Sequence, residues 1–321
     1  MSTLLRPRIF LLIVAIGAEL CFGRRLPKPI LLIHGLTAGA NSMAYVAARI
    51  KEHNPETTIY ITDAYSYAAS LAPLQQQLDG DIGKQFRRIS KAHPEGFHVI
   101  GHSQGALLAR TLIQSYINHT VHNCIFMAGI LDGEYGTPAF IKPLLPLGEF
   151  PPTLELISTL FYTPPAQSSF SAANFWHDPF QPTKYLKENT FLPYYNNEIL
   201  TDKSHSYRQA IIKLKKIVCI FGPDDAVAIP WQTGDFSFYD YYGRMRNCTE
   251  RPIYDAIGLR VLDEQGRFKR YIHPGVEHAQ FVFDDEVISR NKIWNKRVFL
   301  KLFSCFLNPW INEIRPFIEV P

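Results

Sequence analysis

"HVIGHSQGALLAR", residues 98–110, passes from a β-favouring run through a Gly-x-Ser-x-Gly pentapeptide into a helix-forming run. Alone, the pentapeptide is weak evidence, because small residues gather in turns for steric reasons. Its position makes it informative. Between a strand and a helix, such a serine occupies a sharp, strained turn that points its hydroxyl out past the end of the sheet. Gly101 and Gly105 omit side chains where strand and helix approach too closely for a β-carbon. The following helix aims its first N–H groups and its positive dipole end at the place where an anion would form. Ser103 is therefore the candidate nucleophile.

The flanking segments repeat the strand-then-helix pattern. "PILLIHG" (29–35) is a short apolar run closed by glycine, the pattern of a strand buried on both faces. Met43, Val46, Ala47 and Ile50 recur at i, i+3, i+4 and i+7, which predicts an amphipathic helix. "TTIYITD" (57–63) reads as the next strand. A single helix is expected after it, with Leu71, Leu74, Leu78, Ile82, Phe86 and Ile89 on its apolar side and Pro94 and Gly96 at its end. "FHVIG" is then strand, Gln104 to Asn118 helix and "NCIFMAG" strand. "KIVCIFGPDD" (216–225) and "RFKRYIHPGVEH" (267–278) supply later strands, and a terminal helix is expected around Ile293, Trp294, Val298, Phe299 and Leu302. Strands alternating with helices predict an α/β fold, a mostly parallel sheet with helices on both faces. Between residues 132 and 205 the alternation stops and Pro-rich, aromatic-rich segments take over, an insertion or cap before the last strands.

With 321 residues, 46% of them hydrophobic, the chain can bury one large core. Its 33 basic and 29 acidic residues leave a net charge of +4, spread without basic blocks, so nucleic acid is not an expected partner. Arg6 and Arg8 precede an apolar run from Ile9 to Ala18, with Cys21 and Gly23 after it. This order predicts a signal peptide over 1–23 and a single domain over 24–321. The run is about half of the ~20 apolar residues a spanning helix needs, so no stable membrane span is expected. Secretory entry places the remaining cysteines, Cys124, Cys219, Cys248 and Cys305, in an oxidising compartment, with three possible pairings. Cys248 and Cys305 are the better disulfide candidates, whereas Cys124 and Cys219 sit in apolar strands and also suit buried free thiols. Asn118 and Asn247 begin glycosylation sequons.

A serine hydroxyl needs a base, which in this kind of fold follows an acid in the order Ser, Asp or Glu, His. "FGPDDAVAIP" presents Asp224 and Asp225 at the end of a strand, and "HPGVEHAQF" places His278 after a Pro-Gly turn. His273 shares that loop. His34 reads as structural, and His177 precedes the acid, which argues against it as base. Oxyanion donors are expected from the backbone N–H groups of Leu36 and Gln104. No metal-ligand spacing and no nucleotide-binding glycine cradle is present, so neither metal nor cofactor is expected.

"LLIHGL", "GHSQGALLAR", "NFWHDP", "GPDDAVAIPWQ", "FSFYD" and "PGVEHAQF" together resemble the palmitoyl-protein thioesterase family, and within it the lysosomal type 2 branch. The resemblance implies an α/β-hydrolase fold, Ser103 as nucleophile, His278 as base, and Asp225 as acid through its spacing to Pro230. It also implies a lysosomal protein delivered through the secretory pathway, with secretion as a second destination. Gly101 departs from the type 2 pattern, which has cysteine two residues before the nucleophile, and Ala106 replaces a more usual glycine. One family disulfide is therefore not carried over.

The expected reaction is serine-dependent hydrolysis of a long-chain fatty acyl thioester, either an acyl-coenzyme A or an S-acylated peptide. Phe175 and Trp176, with Phe161, Phe170, Phe180 and Phe191, are candidates for an acyl groove in the insertion. An oxygen-ester lipase or carboxylesterase would use the same triad, and a non-catalytic lipid-binding protein would use the same fold.

Overall fold

Ile30–Ile33 (β1) is buried at every position, as an apolar run with no polar face requires. The structure is a computed structural model and describes residues 27–136 and 153–282. Within them, Ile59–Ile61 (β2), Phe97–His102 (β3), Val121–Met127 (β4) and Lys216–Phe221 (β5) follow. A small hairpin pairs Phe238–Tyr239 (β6) with Met245–Arg246 (β7), and Phe268–Ile272 (β8) comes last. The main sheet has the order β2-β1-β3-β4-β5-β8, and every pairing in it is parallel.

Side chains alternate between the two faces with the period of a strand. Leu31, Ile33, Val99, Phe126, Cys219 and Phe221 join one buried cluster with Leu107, Leu108 and Leu112 of the helix Gln104–Ser115. Ile30, Leu32, Ile100, Ile125, Met127, Val218 and Ile220 face the other side, where Met43, Val46 and Ile50 pack on them. The last two belong to the helix Ala44–His53. The expected sheet with helices on both faces is present.

The chain leaves β1 for β2 on one side and returns to β3 on the other. The strand order therefore reverses between β1 and β3, and a crevice opens beyond their carboxyl ends, the usual ligand position in an open parallel sheet. Ser103 follows β3 at this point, and Leu36 lies just past β1.

One expectation changes. The single helix expected over 71–89 is two, Leu74–Asp79 and Asp81–Ala92. Pro73 caps the first, and Gly80, at ψ −146°, breaks the run between them. A β-carbon at Gly80 would lie 2.7 Å from the Gln76 backbone carbonyl oxygen, so this break favours glycine. The described part of the insertion is a series of short helices, Leu154–Phe161, Pro164–Ser169, Ser171–Phe175, Pro182–Glu188 and Leu192–Tyr195. Two of the helices are capped by threonines, Thr153 and Thr163, which accept the N–H of Leu156 and Ala166. They extend the core: Ile157, Phe175, Trp176, Tyr185, Phe191 and Leu192 are all buried in the main cluster. Among the described residues Cys124, Cys219 and Cys248 are buried and form no disulfide with one another; Cys305, the expected partner of Cys248, is not among them. Burial pushes all three thiols well up from their ordinary range. The signal segment 1–23, residues 137–152, the terminal helix and Cys305 lie outside the described residues. Among the described residues no helix is long and apolar enough to cross a membrane.

Candidate active site

Ser103 has φ 55° and ψ −126°, a positive-φ conformation that a residue with a side chain holds only under constraint. Strain of this kind costs about 1–3 kcal/mol and persists where the surroundings fix it. Here the Ser103 N–H donates to the Met127 carbonyl at 3.0 Å, and the Ser103 carbonyl accepts the Ala106 N–H at 2.9 Å. The flanking glycines are obligatory. A β-carbon on Gly105 would lie 2.4 Å from the carbonyl oxygens of both Ile33 and His34, and one on Gly101 would lie 2.3 Å from the Gly105 carbonyl. The same contact explains why Gly101 cannot be a cysteine in this chain.

Two loops from the far half of the sheet meet the elbow. The loop after β5 carries Asp225, and the loop after β8 carries His278. His278 Nδ1 lies 2.7 Å from Asp225 Oδ2. The other carboxylate oxygen accepts the Val227 and Ala228 N–H groups, each at 2.9 Å, so the carboxylate is held from both ends. Asp224 points elsewhere and accepts the Gly275 N–H at 2.6 Å. With Nδ1–H bonded to a carboxylate, the imidazole presents Nε2 as its basic nitrogen.

Ser103 and His278, each 8% exposed, line one cavity of about 540 Å³. Leu36, Ala38, Ala44, Tyr45, Val227 and Val282 form most of its apolar wall. Gln104 opens the helix after the elbow, so its N–H is one of those a helix leaves without an intrahelical acceptor. Leu36, at the end of the β1 loop, borders the cavity beside Gly35.

Phe175 and Trp176 do not line this cavity. They are 2% and 1% exposed in the main core, and Trp176 Nε1 donates to Ser158 Oγ at 2.9 Å. Aromatic spacing in the insertion signalled apolar packing, and that packing is spent inside the protein. Phe191 is buried as well, whereas Phe170 and Phe180 are exposed. Phe175 and Trp176, expected as acyl-groove candidates, are thus placed in the core, and the apolar wall beside Ser103 comes from the β1 loop and from Val227 and Val282.

The remaining histidines separate by environment. His34 Nδ1 donates to the neighbouring Gly35 carbonyl at 2.9 Å. His177 is stacked between Tyr185 and Phe238, with centroids at 4.0 and 4.4 Å, and burial pushes it down to about 4. Its Nδ1–H donates to the Asp132 carbonyl at 2.7 Å. His102 was not singled out from the sequence. Its Nε2–H donates to the His278 carbonyl at 3.0 Å, and burial, followed by the neighbouring imidazole of His278, pushes it down to about 3. A neutral His102 thus tethers the loop that carries His278. Adjacency to Ser103 was the only signal available in the sequence.

Asn118 and Asn247 are both exposed, and the Asn247 side chain also caps the turn Cys248–Glu250.

Residues 29–278 match the family model described as palmitoyl protein thioesterase. A protein of Drosophila melanogaster named lysosomal thioesterase PPT2 homolog is 36% identical over 263 residues, 81% of this chain and 89% of that one. The lysosomal thioesterase PPT2 of Homo sapiens is 32% identical over 281 residues, 86% and 89% of the two chains. Palmitoyl-protein thioesterase 3 of Dictyostelium discoideum is 32% identical and covers 81% of this chain and 88% of its own. With its elbow serine, parallel sheet and match over most of its length, the chain is an α/β-hydrolase that belongs to the palmitoyl protein thioesterase family.

Proposed function

We propose that this thioesterase hydrolyses long-chain fatty acyl thioesters with Ser103 as nucleophile, His278 as base and Asp225 as the acid that orients it. The observation that carries the reading is the 2.7 Å contact of Asp225 with His278, on the wall of the cavity that Ser103 also lines.

In the first step His278 Nε2 takes the Ser103 proton and the alkoxide attacks the thioester carbonyl. Asp225 holds the imidazole in the required tautomer and stabilises the imidazolium that forms. The Leu36 and Gln104 amides donate to the oxyanion. The thiol then leaves. With a pKa near ~8.5 it needs far less protonation than an alcohol, so the step from tetrahedral intermediate to acyl-enzyme depends less on His278 as acid. Water, deprotonated by His278, next attacks the Ser103 ester and releases the fatty acid.

The acyl chain fits the cavity bordered by Leu36, Ala38, Tyr45, Val227 and Val282. Each methylene buried there contributes roughly 0.8 kcal/mol, which favours long chains over short ones. The relatives' names support a lysosomal setting for the reaction, and exposed Asn118 and Asn247 suit glycosylation on the route there.

The test is hydrolysis of palmitoyl-coenzyme A and of an S-palmitoylated peptide by the purified chain, with Ser103→Ala as blank and a matched oxygen ester alongside. Ser103-dependent turnover of either thioester, faster than the ester, supports the reading. A preference for the oxygen ester makes the protein a carboxylesterase, and no Ser103-dependent turnover removes the enzymatic reading.

A further inference from the structure

Ser70 is 1% exposed and lies in the turn Tyr67–Leu71, distant in sequence from both β1 and the elbow. Its two polar ends serve different partners. The hydroxyl oxygen accepts the Thr37 N–H at 2.6 Å and donates its own proton to the Tyr67 carbonyl at 2.5 Å. The Ser70 carbonyl accepts Gln104 Nε2 at 3.0 Å, Gln77 Nε2 at 2.9 Å and Ser171 Oγ at 3.2 Å.

Thr37 directly follows Leu36, and Gln104 directly follows Ser103. The two segments that carry the proposed oxyanion amides are therefore tied to opposite ends of one residue. We infer that Ser70 is a positioning residue that sets the spacing of the Leu36 and Gln104 amides and so prepares the oxyanion site. The inference rests on the roles proposed above for Ser103 and those amides.

Two further features support it. Thr37 has φ 55°, a left-handed conformation that a threonine does not adopt unaided, and its N–H is held by Ser70. The next residue is fastened to the same turn, because the Ala38 carbonyl accepts the Tyr67 N–H at 2.7 Å. On the other side, Gln104 Oε1 is buried without a partner among the described residues. Its amide is held by the Nε2 bond to Ser70. Oxyanion donors act through being in place before charge develops, so a restraint on their spacing affects the transition state more than substrate binding.

Ser70→Ala removes the tie to Thr37 and leaves the Ser70 carbonyl. The expected result is a fall of about 10–100-fold in kcat, part of the 10²–10³ that loss of a whole oxyanion donor costs, with KM within about twofold. The rate of inactivation by a fluorophosphonate probe, whose phosphoryl oxygen needs the same donors, falls by a similar factor. Ser70→Thr, which keeps the hydroxyl, restores most of both rates. A Ser70→Ala variant that is folded by its melting curve and keeps both rates within twofold overturns the inference, as does a loss expressed in KM alone. If Ser70→Ala does not fold, Gln104→Met cuts the other tie; the same two rates are expected to fall, and unchanged rates overturn the inference. An unsubstituted chain that resists the probe overturns the serine mechanism itself, and this inference with it, whereas normal labelling of that chain isolates the result to Ser70.

Discussion

His278 Nδ1 lies 2.7 Å from Asp225 Oδ2, while the adjacent Asp224 accepts the Gly275 N–H instead. Neighbouring carboxylates in one turn thus have separate duties. Asp225→Asn keeps the shape but lets the amide N–H face the ring, which favours the wrong tautomer. The expected loss in kcat is about 10⁴-fold. Asp224→Asn is expected to cost less than about tenfold, through the loop alone. Parallel kinetics of the two variants check this; equal losses would contradict the assignment.

Gly105→Ala places a methyl group 2.4 Å from the carbonyl oxygens of Ile33, which ends β1, and of His34 just after it. Backbone cannot yield there without moving either the elbow or β1. The expected cost is at least about 1–3 kcal/mol, the range for overpacking a close-fitted interior. Urea unfolding reads the stability, and the labelling rate of Ser103 reads the elbow. Gly266→Ala is the comparison, because a β-carbon there meets nothing within 4 Å, although its φ of 68° still imposes strain.

The elbow and its neighbouring strands were legible because each leaves a local signal. "GHSQG" marks a turn that only glycines can flank, and runs such as "ILLI" have no polar face. The choice between Asp224 and Asp225 was not legible from spacing alone, since it depends on where the β8 loop lies. That Phe175 and Trp176 lie in the core was not legible for a related reason. Aromatic content reports that a surface will be buried, and only packing decides whether a ligand or the core buries it. Ser70 and His102 act through long-range hydrogen bonds, to Thr37 and to the His278 carbonyl, and no sequence period encodes those.

Phe175→Ala is expected to lower stability by about 3–5 kcal/mol, as loss of a buried aromatic does, while the ratio of palmitoyl to butyryl thioester hydrolysis by the folded fraction stays the same. Ala38→Trp, which fills the cavity beside Ser103, is expected to lower that ratio at least about tenfold by excluding buried methylenes. The reverse pattern would return the acyl groove to the insertion.

His98 lies in β3 with both ring nitrogens unpartnered among the described residues. Burial, then the positive charges of His122 and Lys28, pushes it from 6.5 down to about 3. The unfolded chain therefore takes up this proton near pH 6.5 and the folded chain only near 3. The stability His98 contributes is complete above about pH 6.5 and is lost as pH falls toward 3, by about 1.4 kcal/mol per unit. His102, His119 and His177 shift in the same direction. Glu198 runs the other way: burial and Asp132 raise it to about 7, so its contribution is lost as pH rises toward 7. His98→Phe is expected to narrow the gap between melting temperatures at pH 7 and pH 5. An unchanged gap would mean that the buried ring does not govern acid sensitivity.

The most direct measurement of the central claim is an acid quench of the chain within its first turnover of palmitoyl-coenzyme A, followed by mass analysis of the peptide that spans His98–Arg110. The account predicts one palmitoyl group on Ser103, absent in Ser103→Ala and accumulating in Asp225→Asn if deacylation slows more than acylation. Turnover that continues in Ser103→Ala, or an acyl group found on another residue, would contradict it.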